Sequence, residues 1–260
     1  MWVGYPVSFA HRFYVFVLGP LTVLLLMYLA FSFYPLLRPA GQEVPLSTII
    51  AASLFTCARL FIAYVLAVVV AIPLALLTTY NSTMETLLLP VFDIMESVPI
   101  LALFPVIIML FIQFNFLNGA AIFILFLAML WNIVFTLVGG LKIIPKDIFY
   151  VTQVFGLHGW GYMQRFLLPA LVPQLVTGSI LAVAQGWNLI IVAEVLHTYI
   201  PGGTSAQDLF GVGSILVAAA ANAQNGVFLG AVFVMVVIIA MLNLFVWQKL
   251  LHYAQRFRFD

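Results

Sequence analysis

Only 7% of the 260 residues are charged and 65% are hydrophobic, with a mean hydropathy of +1.22, whereas soluble domains carry roughly 25% charged side chains. So few charges cannot clothe a water-soluble surface, and lipid must solvate much of the molecule. The net charge of +1 includes no basic run interleaved with aromatics, which excludes a nucleic-acid binder, and the single cysteine, Cys57, excludes an intrachain disulfide or a cysteine-based metal site.

A helix needs roughly 20 apolar residues to cross the hydrocarbon core at about 1.5 Å per residue, and six stretches meet that length. The first, Phe13 to Leu36, follows an N-terminus lacking the short core and cleavage site of a signal peptide, so a retained anchor is expected. The second, Thr48 to Leu77, carries Arg59. The third, Thr86 to Ile112, carries Asp93 and Glu96 beside Pro90, Pro99 and Pro105. The fourth runs from Gly119 to Leu141, the fifth from Leu168 to Leu196 with Gln185, Asn188 and Glu194, and the sixth from Gly226 to Leu251. These unbroken runs are too long for the alternating ten-residue strands of a barrel. With no internal repeat and no dividing linker, the expectation is an all-α polytopic membrane protein, a single domain over residues 1–260.

Positive charge is retained on the cytoplasmic side of a span. Placing the N-terminus inside puts Arg12, Lys142, Lys146, Arg165, Lys249, Arg256 and Arg258 in the cytoplasm and leaves Arg38 outside. Both ends are then cytoplasmic. The longest polar stretch between spans, the cytoplasmic loop at residues 142–167, is where a soluble partner could dock. It reads as a short helix from Lys146 to Phe155, a break at Gly156, and a second short helix ending near Pro169.

Charges inside spans are costly, about 2.5–3.5 kcal/mol at the centre on insertion scales, so they face a cavity or a partner. Arg59 is expected to pair with Asp93 or Glu96 from the third span, to snorkel, or to meet an anionic substrate. The three prolines bend that span, and bent helices line cavities, which makes Asp93 and Glu96 pathway candidates or residues of a kinked packing helix. Gln185 and Asn188 share one helical face and could bond substrate oxygens or another helix. Glu194, near the outer end of its span, is expected to snorkel to the interface. Gly139, Gly140 and the run Ala218 to Ala221 would permit close helix approach, the alanines within a short external helix. The histidines His11, His158, His197 and His252 are scattered, so no metal cluster is expected, and no catalytic motif is legible.

The loop sequence YVTQVFGLHGWGYMQRFLLPALVP, Tyr150 to Pro173, resembles the cytoplasmic loop of permease subunits of binding-protein-dependent ABC importers. Their signature is Glu-Ala-Ala, three residues, Gly, nine residues, then Ile-x-Leu-Pro. Gly156, Leu168 and Pro169 fall at the matching positions, while Tyr150, Val151 and Thr152 replace the leading triad and Phe166 replaces the Ile. Glu96 to Val106, Gly186 to Leu196, and the segment from Pro201-Gly202-Gly203 to Gly213 are similar to the nitrate, sulfonate and taurine branch.

That resemblance implies a type I ABC importer permease in a prokaryotic inner membrane. Two such subunits, identical or related, would pair and dock a cytoplasmic ATPase dimer, and an extracytoplasmic binding protein would deliver a small solute. Tyr150, Val151, Thr152, Phe155, Gly156 and Leu157 would line the docking surface, with Leu168 and Pro169 closing the loop. No cofactor is implied for this chain, because ATP and magnesium belong to the ATPase: none of Lys142, Lys146 and Lys249 is followed by Ser or Thr as a P-loop requires. The alternatives are a self-contained channel or secondary transporter, from which the long cytoplasmic loop with Gly156 and Leu168-Pro169 separates the permease reading, and a non-transporting scaffold, which predicts no substrate-dependent ATPase stimulation.

Overall fold

The computed structural model describes residues 44–145, 152, 154–156, 159–200 and 202–257; the expected span from Phe13 to Leu36 lies outside them. The described residues form helices and connecting turns, with no strand among them. Helix α1 is Leu46–Tyr80 and α2 is Ser82–Ser97. Asn81 separates them: its extended backbone ends α1, and its side-chain carbonyl accepts from Thr83 N at 2.9 Å, capping α2. Helix α3 is Ile100–Gln113 and α4 is Leu117–Ile143, joined by a turn in which Asn115 takes φ 50°, a conformation asparagine tolerates.

Helix α5, Leu168–Glu194, is entered through the helical turn Gly159–Tyr162 and a π-helical turn Met163–Leu167. Leu168 N–H donates to Met163 O, and Pro169 has no N–H to restore the tighter register. The second loop helix is therefore continuous with α5. Then come α6, Val212–Ala221, α7, Asn225–Leu242, a second π-helical turn, Asn243–Trp247, and α8, Gln248–Ala254. Leu46–Thr79, Leu117–Ile143, Met163–Glu194 and Asn225–Phe257 are long and apolar enough to cross a membrane. These agree with the second, fourth, fifth and sixth expected spans.

The third expected span differs. It is broken into α2 and α3, which meet at 87°. Val98 and Pro99 are both extended, at ψ 121° and 115°, a break that Pro99 favours, since proline disfavours helical backbone in the residue before it and cannot donate to the carbonyl four residues back. Pro90 and Pro105 remain inside α2 and α3.

Helix α4 is the centre of the packing, with Ile124, Met129, Ile133, Val134 and Leu137 fully buried between α1 and α5. On α1, Ala63, Ala67, Ala71 and Ala75 recur every fourth residue, all at 0% exposure; small residues at that spacing let backbones approach where apolar burial gives no advantage over lipid. Gly186 of α5 does the same, since a Cβ there would press on Met129 and lie 2.7 Å from Leu60 Cδ2. Of the two glycines expected to allow close approach, Gly140 lies against Gln174, whereas Gly139 has nothing within 4 Å. Helix α7 fully buries only Ala231 among the described residues, and most of its other side chains are half-buried.

Candidate functional site

Arg59 and Glu194 anchor the most polar region of the interior. Arg59 is 7% exposed and Glu194 1%. Arg59 Nη1 donates to Glu194 Oε1 at 2.8 Å, Nε to Asn118 Oδ1 at 2.9 Å, and Nη2 to the Phe210 carbonyl at 3.0 Å. The carboxylate also accepts from Thr56 Oγ1 at 2.6 Å and from Gly213 N at 2.7 Å. Thr56 Oγ1 in turn accepts from Val212 N at 3.0 Å. The node thus joins α1, the start of α4, the end of α5 and the start of α6.

Glu194 does what the N-cap residue of α6 cannot. That residue is Gly211, which has no side chain to accept from the first amides of the helix, so a carboxylate from α5 accepts instead. Negative charge at a helix N-terminus is also favoured by the helix dipole. Two expectations are corrected here. Glu194 is buried and bonded rather than snorkelling, and Arg59 pairs with it rather than with Asp93 or Glu96.

The connection from α5 to α6 folds back over this node. Leu209 N donates to the Glu194 carbonyl at 2.9 Å. His197 and Asp208 clip its two ends, with Nδ1 2.8 Å from the carboxylate and His197 N donating to Asp208 Oδ1 at 3.1 Å. Tyr199 packs on Phe104 of α3, ring centroids 4.9 Å apart, tying the connection to α3.

Asp93 and Glu96 are both exposed on α2, next to the break. Phe92 packs on Trp131 in the middle of α4, centroids 5.6 Å apart, while Glu85 bonds Lys142 at the end of α4 at 2.6 Å. Helix α2 thus runs from the end of α4 toward its midpoint, which puts the two carboxylates deep along the bundle. Gln185 and Asn188 are exposed on α5, on a stripe with Thr177, Leu181, Ala184 and Ile191. The structure does not bring these two residues to Asp93, Glu96 or Arg59 through any hydrogen bond among the described residues.

Of the loop residues, Tyr150, Val151 and Leu157 lie outside the described set. Gly156 takes φ 63°, the left-handed conformation glycine reaches without a Cβ penalty. Beside it Val154 and Phe155 are 86% and 75% exposed, whereas Thr152 is buried. Two large apolar side chains thus stand out at a tight turn between α4 and α5. Leu168 and Pro169 begin α5, half-buried.

Residues 67–258 match the family described as binding-protein-dependent transport system inner membrane component. The chain belongs to this family. It is 32% identical over 180 residues to a nitrate import permease protein of Leptolyngbya laminosa, covering 69% of this chain and 62% of that one. It is 29% identical over 169 residues to a bicarbonate transport system permease protein of Synechococcus elongatus, covering 65% and 59%. A taurine transport system permease protein of Escherichia coli is 24% identical over 138 residues, covering 53% and 49%. The chain thus spans about three fifths of the first two relatives' length. Family membership and the apolar helices make it a multi-pass protein of the inner membrane.

Proposed function

We propose that this chain is the transmembrane subunit of an ABC importer, with six spans and both ends in the cytoplasm. It forms half of a translocation pathway with a second permease subunit and works by alternating access. A separate cytoplasmic ATPase dimer, with its ATP and magnesium, supplies the energy, and an extracytoplasmic binding protein delivers the solute. The observation that carries this reading is the exposed Val154-Phe155 pair beside the left-handed Gly156. Apolar side chains held out of a cytoplasmic turn favour a protein partner over water, and the turn is followed along the chain by the helical segment from Gly159 that enters the transmembrane helix α5. The names of the nitrate, bicarbonate and taurine relatives support a small anion or zwitterion as solute.

The break between α2 and α3 supports a water-accessible pathway beside it, because freed backbone groups at membrane depth are tolerated only where protein or water covers them. Asp93, Glu96, Gln185 and Asn188 are exposed polar groups in membrane-crossing segments and face that pathway or the second subunit. Arg59 serves the pathway from behind, holding the outer connection in place. The test is purification of the detergent-solubilised chain with its candidate ATPase. A stoichiometric complex with solute-stimulated hydrolysis is expected, and solute transport into liposomes by this chain alone would overturn the proposal.

A further inference from the structure

The last membrane-crossing segment, Asn225–Phe257, is 33 residues long, whereas roughly 20 residues cover the hydrocarbon core. Its surplus ends in α8, which packs on α5 and buries Ala254. Lys249, His252 and Arg256 are all exposed. At about 100° per residue, spacings of three and four put these three side chains on one face. Ala254, two residues from both His252 and Arg256, is on the opposite one, so the basic face points away from the bundle. A helix dipole favours cations at the C-terminal end, but on any face; a shared face points to something on that side.

The neighbouring residues say which medium that is. Phe245, Val246, Leu250 and Tyr253 are 38–59% exposed, so the apolar surface of the span continues into α8 beside the basic face. Arg256 Cζ lies 5.9 Å from the centre of the Tyr253 ring, and that ring meets Phe257 edge-on with centroids 5.3 Å apart. Among the described residues, the side chains of Lys249, His252 and Arg256 make no hydrogen bond or ion pair within the chain. Lys142 at the end of α4 differs, being held by Glu85 at 2.6 Å.

We propose that Lys249, His252 and Arg256 form a binding face for the phosphate of an anionic phospholipid in the cytoplasmic leaflet. The leaflet rests on the topology proposed above, which puts α8 on that side. The apolar run of the span ends at Leu251. The Lys249 ammonium reaches past it on its own stem, His252 lies at the boundary and Arg256 about 7 Å beyond. The headgroup layer adds roughly 5–8 Å to each side of the hydrocarbon core, so all three groups stand at its depth. Two fixed positive charges and an imidazole N–H suit phosphodiester oxygens, and anionic headgroups attract such juxtamembrane cations. An acidic surface of the ATPase would satisfy the charges but not Leu250 and Tyr253 beside them. An occupant would brace α8, which meets α5 near Pro173, at the end of α5 that follows the Gly156 turn.

The test places the full chain in nanodiscs of equal phosphatidylglycerol and phosphatidylcholine with identical acyl chains, and reads the retained lipid by native mass spectrometry. Anionic lipid should be retained over choline lipid by about fivefold for each of Lys249 and Arg256, and less at high salt. Lys249→Gln and Arg256→Gln should each lose that factor, whereas Lys249→Arg, which keeps the charge, should not. Lys142→Gln removes the same charge from a pair with Glu85 and should leave retention unchanged. Equal retention of the two lipids overturns the proposal. An equal loss in Lys142→Gln also overturns it, because the preference would then belong to overall charge. So does loss of ATPase co-purification in the double Gln variant with lipid retention intact, which makes the face a protein contact. Both leaflets of a nanodisc are open, so a negative result refutes the lipid face whichever way the chain inserts, and side-specific labelling tests the topology separately.

Discussion

Removing the Glu194 carboxylate by Glu194→Ala would leave Arg59 buried at 7% exposure with its Nη1 donor unmatched, and would strip the acceptor from Gly213 N and Thr56 Oγ1. Breaking one side of a buried ion pair costs about 3–5 kcal/mol, because the remaining charge is uncompensated. Arg59→Met should cost a similar amount, since it abandons a carboxylate and also frees Asn118 Oδ1 and the Phe210 carbonyl. The double variant, Arg59→Met with Glu194→Ala, buries no charge. It still orphans the Gly213 amide, a loss of about 1–3 kcal/mol. The cycle should therefore show a coupling of several kcal/mol, with the double variant more stable than either single one. Reversible unfolding in mixed detergent micelles measures all four corners. Additive single effects, or a loss below about 1 kcal/mol for Glu194→Ala, would refute the reasoning, because neither fits a buried charge left alone.

Three further outcomes follow from individual contacts. Gly211→Ala places a Cβ against the Glu194 carboxylate and should cost about 1–3 kcal/mol by overpacking, seen as a lower unfolding midpoint and faster exchange of the α6 amides. Glu85→Gln breaks the Lys142 pair, whose side chains are 36% and 45% exposed, so its effect on the same midpoint should stay within about 1 kcal/mol. Gly156→Asp puts a Cβ at φ 63° and a charge beside the apolar turn. It should abolish solute-stimulated ATP hydrolysis in the reconstituted importer while membrane insertion, followed by fractionation, is unchanged.

Helices α1, α4 and α5, and the continuous segment from α7 through α8, were legible because each repeats one local property, apolarity, over more than the bilayer thickness. The break in the third span was not. Val98-Pro99 interrupts the helix, yet Ile72-Pro73 and Val172-Pro173 present the same β-branched residue before proline and stay helical within α1 and α5. Packing around each proline therefore decides whether the chain bends, and packing is not written locally. The partner of Arg59 was hidden for a related reason. Glu194 lies 135 residues away, and its third donor, Gly213, belongs to a connection that folds back. The one available signal was scarcity: with eight acidic residues in the chain, an acid and a base buried in spans on the same side are natural partners. Gly156 was the easier case, because the left-handed turn it makes is a property of glycine itself.

The account rests on the Gly156 turn being the cytoplasmic handle through which a separate motor moves the spans. Its most direct test is labelling of Phe155→Cys in a Cys57→Ser background with a membrane-impermeant maleimide. Modification should occur in inside-out vesicles alone, and the candidate ATPase should protect the thiol. Modification from the outer face, or labelling indifferent to bound ATPase, would contradict it.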